Sequence, residues 1–204
     1  MGHQIEDGTG NGNRARVDSD KRLHVNSVSR TQLEQAVLLG QAYNVSTGSM
    51  TLTSANESAV GYFKYNGNDP LIIKEILVIL GDSNGTGSGL IKLIKNPTAG
   101  TIISNAVNVS AAINRDFGSA NVLDANAYKG AEGDTITGGT TFAITSRNEN
   151  AQVVTFDAAP IKLRKGNSIA VTYTPPSGNT SQSVVVAGTV FVETATVSGD
   201  LDLK

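Results

Sequence analysis

From residue 43 to residue 193 the chain is a series of short runs rich in Val, Ile, Thr and aromatic residues. Each run is cut off by Asn, Gly or Pro. Ten such runs read as strands: 49–54, 58–65, 71–80, 89–95, 101–109, 140–146, 151–156, 160–164, 167–174 and 183–193. The breaks carry turn chemistry, as in Asn66-Gly67-Asn68-Asp69-Pro70, Asn96-Pro97, Lys165-Gly166-Asn167 and Pro175-Pro176-Ser177-Gly178-Asn179. No helical pattern between them is long enough for a crossover, which argues against a parallel sheet. The expected fold is therefore all-β, a jelly-roll-like antiparallel sandwich. A chain of 204 residues can bury such a core without staples, and it has no cysteine to make them.

Two strands are expected at the centre. Leu71 to Leu80 is apolar on both faces except at Lys74 and Glu75. In 183–193, Val185, Thr189 and Phe191 share one face, and Val184, Val186, Val190 and Val192 the other. This strand is expected to be covered on both sides, with a neighbouring subunit as one candidate cover. Residues 110–139 are the least regular stretch and read as an insertion or long loop anchored by Phe117 and Tyr128.

Ahead of the β domain, residues 1–30 are polar and rich in Gly and Asn, and cannot build a core alone. They read as an extended N-terminal arm. Within it, residues 14–30 carry five basic and two acidic side chains. Arg14, Arg16, Lys21, Arg22, Leu23, Val25 and Arg30 are the expected partner-binding residues. The alternation through Arg22-Leu23-His24-Val25-Asn26 would suit a strand added at a sheet edge. Residues 31–42 read as one short helix or linker. Thr31 and Glu34 match a capping box, Leu33, Ala36, Val37 and Leu38 form a stripe, and Gly40 would end it. A β reading fits this short run nearly as well. Residues 194–204 form a short C-terminal tail.

Chemistry is thinly supplied. Charged residues make up 17% of the chain, below the roughly 25% of ordinary domains. The two histidines, His3 and His24, both lie in the arm, so the β domain lacks the commonest general base and metal ligand. Gly8-Thr9-Gly10-Asn11-Gly12 is not followed by the Gly-Lys-Ser/Thr of a phosphate loop. Asp82 and Asn84 imitate the first ligands of a calcium loop, but Leu93 stands where a bidentate Glu is required. Calcium at Asp82 or Asp134 has no further support. The carboxylates Asp116, Asp124, Glu132, Asp134, Glu149 and Asp157 are candidates for acid–base work, with Glu132 and Asp134 the closest pair. A Ser/His/Asp triad would need His24 from the arm. The expectation is a non-enzyme with no cofactor and no metal ion.

Binding readings differ in strength. A sugar platform would need exposed aromatics. Phe63, Phe142, Phe156, Tyr173 and Phe191 read as core, which leaves Tyr43, Tyr65 and Tyr128. Nucleic acid is disfavoured by the net charge of −2 and by the lack of aromatics among the arm's basic residues. No run approaches the 20 or so apolar residues of a membrane span, and no secretory signal opens the chain. A soluble protein made in a cytoplasm is expected, and the five N-x-S/T triplets are expected to be chance.

The segment Ile5 to Ser29, with Asp7-Gly8-Thr9-Gly10 and Val17-Asp18-Ser19 followed by Arg22-Leu23 and Val25, resembles the opening of small virion structural proteins of tailed bacteriophages. Asn96-Pro97-Thr98-Ala99-Gly100-Thr101-Ile102-Ile103 and Leu163-Arg164-Lys165-Gly166-Asn167-Ser168-Ile169 are similar to phage β-sandwich proteins. The resemblance covers about a third of the chain. It implies a particle component on head, neck or tail, commonly oligomeric. The leading expectation is a capsid decoration or cement protein, a homotrimer on the head surface. Its arm would grip the major capsid protein or another virion protein. The alternatives are a tail or neck fibre module binding a host glycan, a carbohydrate-active enzyme, and a plug or adaptor.

Overall fold

Strand pairing in the computed structural model follows the hydrophobic runs. The structure describes residues 30–104, 112–156 and 160–193, together with the backbone of residues 16–17 and 23–24. The chain divides into two compact units, Met1–Thr31 and Gln32–Lys204.

In the first unit, β1 (Arg16–Val17) pairs antiparallel with β2 (Leu23–His24). Leu23 and His24 of the alternating run thus pair with Val17 and Arg16. The second unit opens with α1 (Gln32–Leu38), which carries Glu34 in its first turn. Gly40, at φ 63, stops the helix. Its N–H donates to the Val37 carbonyl, and the Gln41 N–H donates to that of Ala36, a Schellman closure. Twelve strands follow: β3 (Ala42–Ser46), β4 (Met50–Leu52), β5 (Ser58–Tyr65), β6 (Leu71–Leu80), β7 (Gly89–Lys95), β8 (Ile113–Asn114), β9 (Ala125–Lys129), β10 (Thr140–Arg147), β11 (Gln152–Phe156), β12 (Ile161–Leu163), β13 (Ser168–Thr174) and β14 (Gln182–Val192). A short helix, α2 (Thr101–Ser104), lies between β7 and β8.

The strands form two antiparallel sheets. One has five strands in the order β10-β7-β13-β5-β9. The other has seven, in the order β11-β6-β14-β3-β8, with β12 also on β6 and β4 also on β14. The pairings nest: β7 with β10, β6 with β11 and β12, β5 with β13, and β3 and β4 with β14. A ribbon paired in this way and rolled on itself is a jelly roll. The core between the sheets takes Val60, Phe63 and Leu93 from one and Val78, Val154 and Val184 from the other.

Three features differ from the sequence reading. Residues 101–104 are helical, not the start of a strand, and residues 105–109 of that expected strand lie outside the described residues. Gly100 at φ 139 reverses the chain, and Ile102 must turn inward onto Ala59, Tyr62 and Ala170 on the outer face of the five-stranded sheet. β3, β8 and β9 were not expected as strands. Polar residues interrupt them, and their neighbours across the sheet decide their pairing. The irregular stretch does hold an anchor at Tyr128, which stacks on Tyr62 at 5.7 Å. Phe117, expected as the second anchor, is 94% exposed.

The outer faces are unequally covered. α1 covers one end of the seven-stranded sheet, where Ala36 packs with Ala42, Ile72 and Phe191. The rest of that face, including Ile79 and Val153, stays open, so β14 is not covered along its whole length on both sides.

Candidate functional site

Four loops meet at one end of the jelly roll, and their polar side chains hold one another. Asp82 Oδ1 accepts from the Ala151 N–H at 2.7 Å, and the Ser83 N–H donates to the Glu149 carbonyl at 2.8 Å. Asn84 exchanges hydrogen bonds with Thr180 through both atoms of its amide. Asn179 is buried; its Nδ2 donates to the Leu52 and Ser54 carbonyls, and its Oδ1 accepts from Ser83 Oγ at 2.7 Å. The residues that imitate a calcium loop are therefore spent on loop closure. Among the described residues, no group of three His, Cys, Asp or Glu side chains gathers as a metal site would require.

The candidate carboxylates do not converge. Glu132 accepts from the Thr53 N–H and from Thr53 Oγ. These hydrogen bonds, first that of the Thr53 hydroxyl, lower its pKa. Two residues on, Asp134 accepts from Thr101 Oγ at 2.8 Å and from the Ala131 N–H at 2.7 Å. The nearest pair in sequence thus splits between the loop before β5 and the start of α2. Asp116 accepts from the Gly118 N–H within its own turn. Asp124 and Glu149 sit in separate loops, and Asp157 lies outside the described residues.

The aromatic residues redistribute. Tyr43 and Tyr65, left as candidates for a surface platform, are core residues, and burial raises both pKa values. Tyr128 is half-buried against Tyr62. Phe63, Tyr173 and Phe191 are buried as expected, and Phe156 packs against the core. Phe142, expected inside, is 46% exposed, because a β-bulge between Thr141 and Ala143 leaves it out of the ladder with β7.

Of the expected arm residues, Arg16 and Leu23 fall in the β1–β2 ladder and Arg30 is exposed just before α1. Arg14, Lys21, Arg22 and Val25 lie outside the described residues.

Among the described residues, several large side chains that reach solvent fall on two flanks, while Leu38 and Leu39 at the end of α1 and Ile79 on β6 are exposed elsewhere. On one flank, β8 and β9 extend the edges of the two sheets, and Phe117 and Val122 project from the loop between them. On the other, β10, β11 and β12 end the sheets. There Ile144 on β10 and Val153 on β11 are 61% and 58% exposed, and a separate cleft of about 380 Å³ is lined by residues that include Phe142, Ile161 and Leu163. Sequence reasoning missed these residues. The available signal was a Phe at position 117 set among turn formers, where no core position is expected. No protein-family model and no curated protein sequence matches the chain.

Proposed function

We propose that this chain is a non-enzymatic structural component of a tailed-phage particle, a decoration or cement protein of the head. On this reading the protein is a homotrimer whose basic arm and jelly-roll body together bind the major capsid protein or a neighbouring virion protein. The observation that carries the reading is where the side chains are used. Asp82, Asp116, Glu132 and Asp134 are taken up in holding loops, while Phe117, Val122, Phe142, Ile144 and Val153 are presented at the flanks. Such a body is built to adhere. A protein that binds only the assembled shell stabilises it by mass action. The resemblance of the arm to phage virion proteins supplies the kind of particle.

The glycan-binding alternative loses two of its three aromatic candidates, since Tyr43 and Tyr65 are in the core. The test is to mix the purified protein with undecorated phage shells and sediment them. Co-sedimentation that raises the disassembly temperature of the shells is the expected result. Protein left in the supernatant at micromolar concentration would overturn the reading.

A further inference from the structure

Residues 194–204 lie outside the described residues, but their sequence alternates. Val197, Gly199, Leu201 and Leu203 take turns with Thr196, Ser198, Asp200 and Asp202. A period of two is the pattern of a strand with one apolar face, and such a face needs a cover. The structure fixes where this segment starts. The Glu193 N–H donates to the Pro70 carbonyl just before β6, and the Glu193 carboxylate pairs with Lys162 on β12, on the far side of β6 from β14. The chain therefore leaves β14 across the start of β6, towards β12. There the seven-stranded sheet stops. Among the described residues β12 pairs only with β6, so its outer edge is open. Ile161 and Leu163 of β12 line the cleft of about 380 Å³, together with Phe142 of the five-stranded sheet, which is 46% exposed.

We infer that residues 197–203 add a strand to the open edge of β12 and bury Leu201 and Leu203 in this cleft. The strand runs antiparallel to β12, because the chain enters at the Leu163 end: Val192 and Leu163 both stand opposite Leu71. The edge beyond β12 lies three strand spacings from β14, about 14 Å. Residues 194–198, at about 3.3 Å each, span it. Leu201 then falls opposite Leu163, Asp202 opposite Lys162 and Leu203 opposite Ile161, and both leucines face the cleft as their partners do. Charge agrees with this register without selecting it. Among the described residues the surroundings carry Lys95, Lys162, Arg164 and Lys165 with Glu193, and the segment carries Asp200, Asp202 and Lys204. The tether selects the occupant. A linker of about five residues holds the segment at roughly millimolar effective concentration, far above a second copy in micromolar solution. An open edge beside an apolar cleft is also a template for pairing with other chains, and the segment closes it. The inference goes beyond the particle reading and does not depend on it.

Amide hydrogen exchange on the full chain tests it. The amides of residues 201–203 should exchange about tenfold or more slowly in the wild type than in Leu201→Asp/Leu203→Asp, which leaves the jelly-roll body unaltered. Phe142→Asp changes the cleft and not the segment. It should remove the same protection while the amides of β6 and β14 keep theirs. The chain has no cysteine, so an engineered pair reports the register. With oxidised glutathione, Lys162→Cys/Asp202→Cys should close a disulfide within one chain. It should do so faster than Lys162→Cys/Ser198→Cys, which is nearer in sequence but four residues out of register. Unprotected amides at 201–203 in the wild type, protection that survives Phe142→Asp, or a Ser198→Cys pair that closes as fast would overturn the inference. Protection accompanied by disulfides only between chains would overturn it too, because the segment would then occupy the cleft of a second copy. Shell binding is read separately by sedimentation, so failure here leaves the particle reading standing, and failure there leaves this one.

Discussion

Asn179 shows how much one side chain can hold. It is buried, and its amide joins the loop after β4, the loop after β6 and the loop before β14. Asn179→Ala strips partners from two carbonyls and a hydroxyl. It should cost about 2–3 kcal/mol, read as a lower urea midpoint at unchanged slope. In the sequence this residue is only one of five N-x-S/T triplets, because nothing local says that it faces inward. Gly61 makes the opposite case. It borders an apolar cleft of about 60 Å³ between the sheets. A methyl group added there meets Thr47 and Val186 at 3.5 Å, an ordinary contact distance. Gly61→Ala should raise stability by about 0.5–1 kcal/mol, through a stiffer unfolded chain and added contact with Thr47 and Val186, measured by the same titration.

Among the elements, strands 58–65, 71–80 and 89–95 were legible to the residue, because runs of aliphatic or aromatic residues between strong turn formers leave one reading. α1 was legible for a local reason as well, its glycine stop. Gly40→Ala would force a side chain into φ 63 and against Ser119, and should cost about 1–3 kcal/mol in thermal unfolding. β3, β8 and β9 were not legible. Ala42–Ser46 alternates buried Tyr43 and half-buried Val45 with exposed Asn44 and Ser46, yet its five residues follow a helix stop and include two polar ones. Ile113–Asn114 becomes a strand only because β3 offers it an edge. The run at 101–104 failed the other way. Its β-branched residues favour a strand, but the outer face of the five-stranded sheet needed a compact cover, and Ile102 provides it.

For the whole molecule, charge sets the pH window. Glu57 bridges Lys92 on β7 and Thr172 on β13 at 2.7 and 2.6 Å. Burial pushes its pKa up, but the hydrogen bonds from Lys92 and Thr172 and the charge of Lys92 outweigh burial and hold it below the usual value. A carboxyl lowered in the folded state adds stability above its unfolded pKa and loses it as pH falls through the folded one. Glu57→Gln should therefore be less stable than wild type at neutral pH, with the gap closing below about pH 4 in melting temperature. At the alkaline end, burial raises the pKa values of Tyr43, Tyr65 and Tyr173, so unfolding should be promoted as pH rises past about 10. Removing residues 1–30 should leave the body's melting temperature nearly unchanged and abolish shell binding; an unfolded product would place the arm in the core.

The sequence by itself determined the all-β class, the position of the central strands, the polar arm and the scarcity of catalytic residue types. These depend on alternation, turn residues and composition, which are local quantities. Only the tertiary structure decided the rest. The nested pairing rolled the strands into two sheets, drew Tyr43 and Tyr65 inward, and spent the loop carboxylates on hydrogen bonds. It also left Phe117 and Phe142 facing solvent on opposite flanks. Whether an aromatic is core or contact depends on what packs across from it, and that neighbour can be a hundred residues away in the chain.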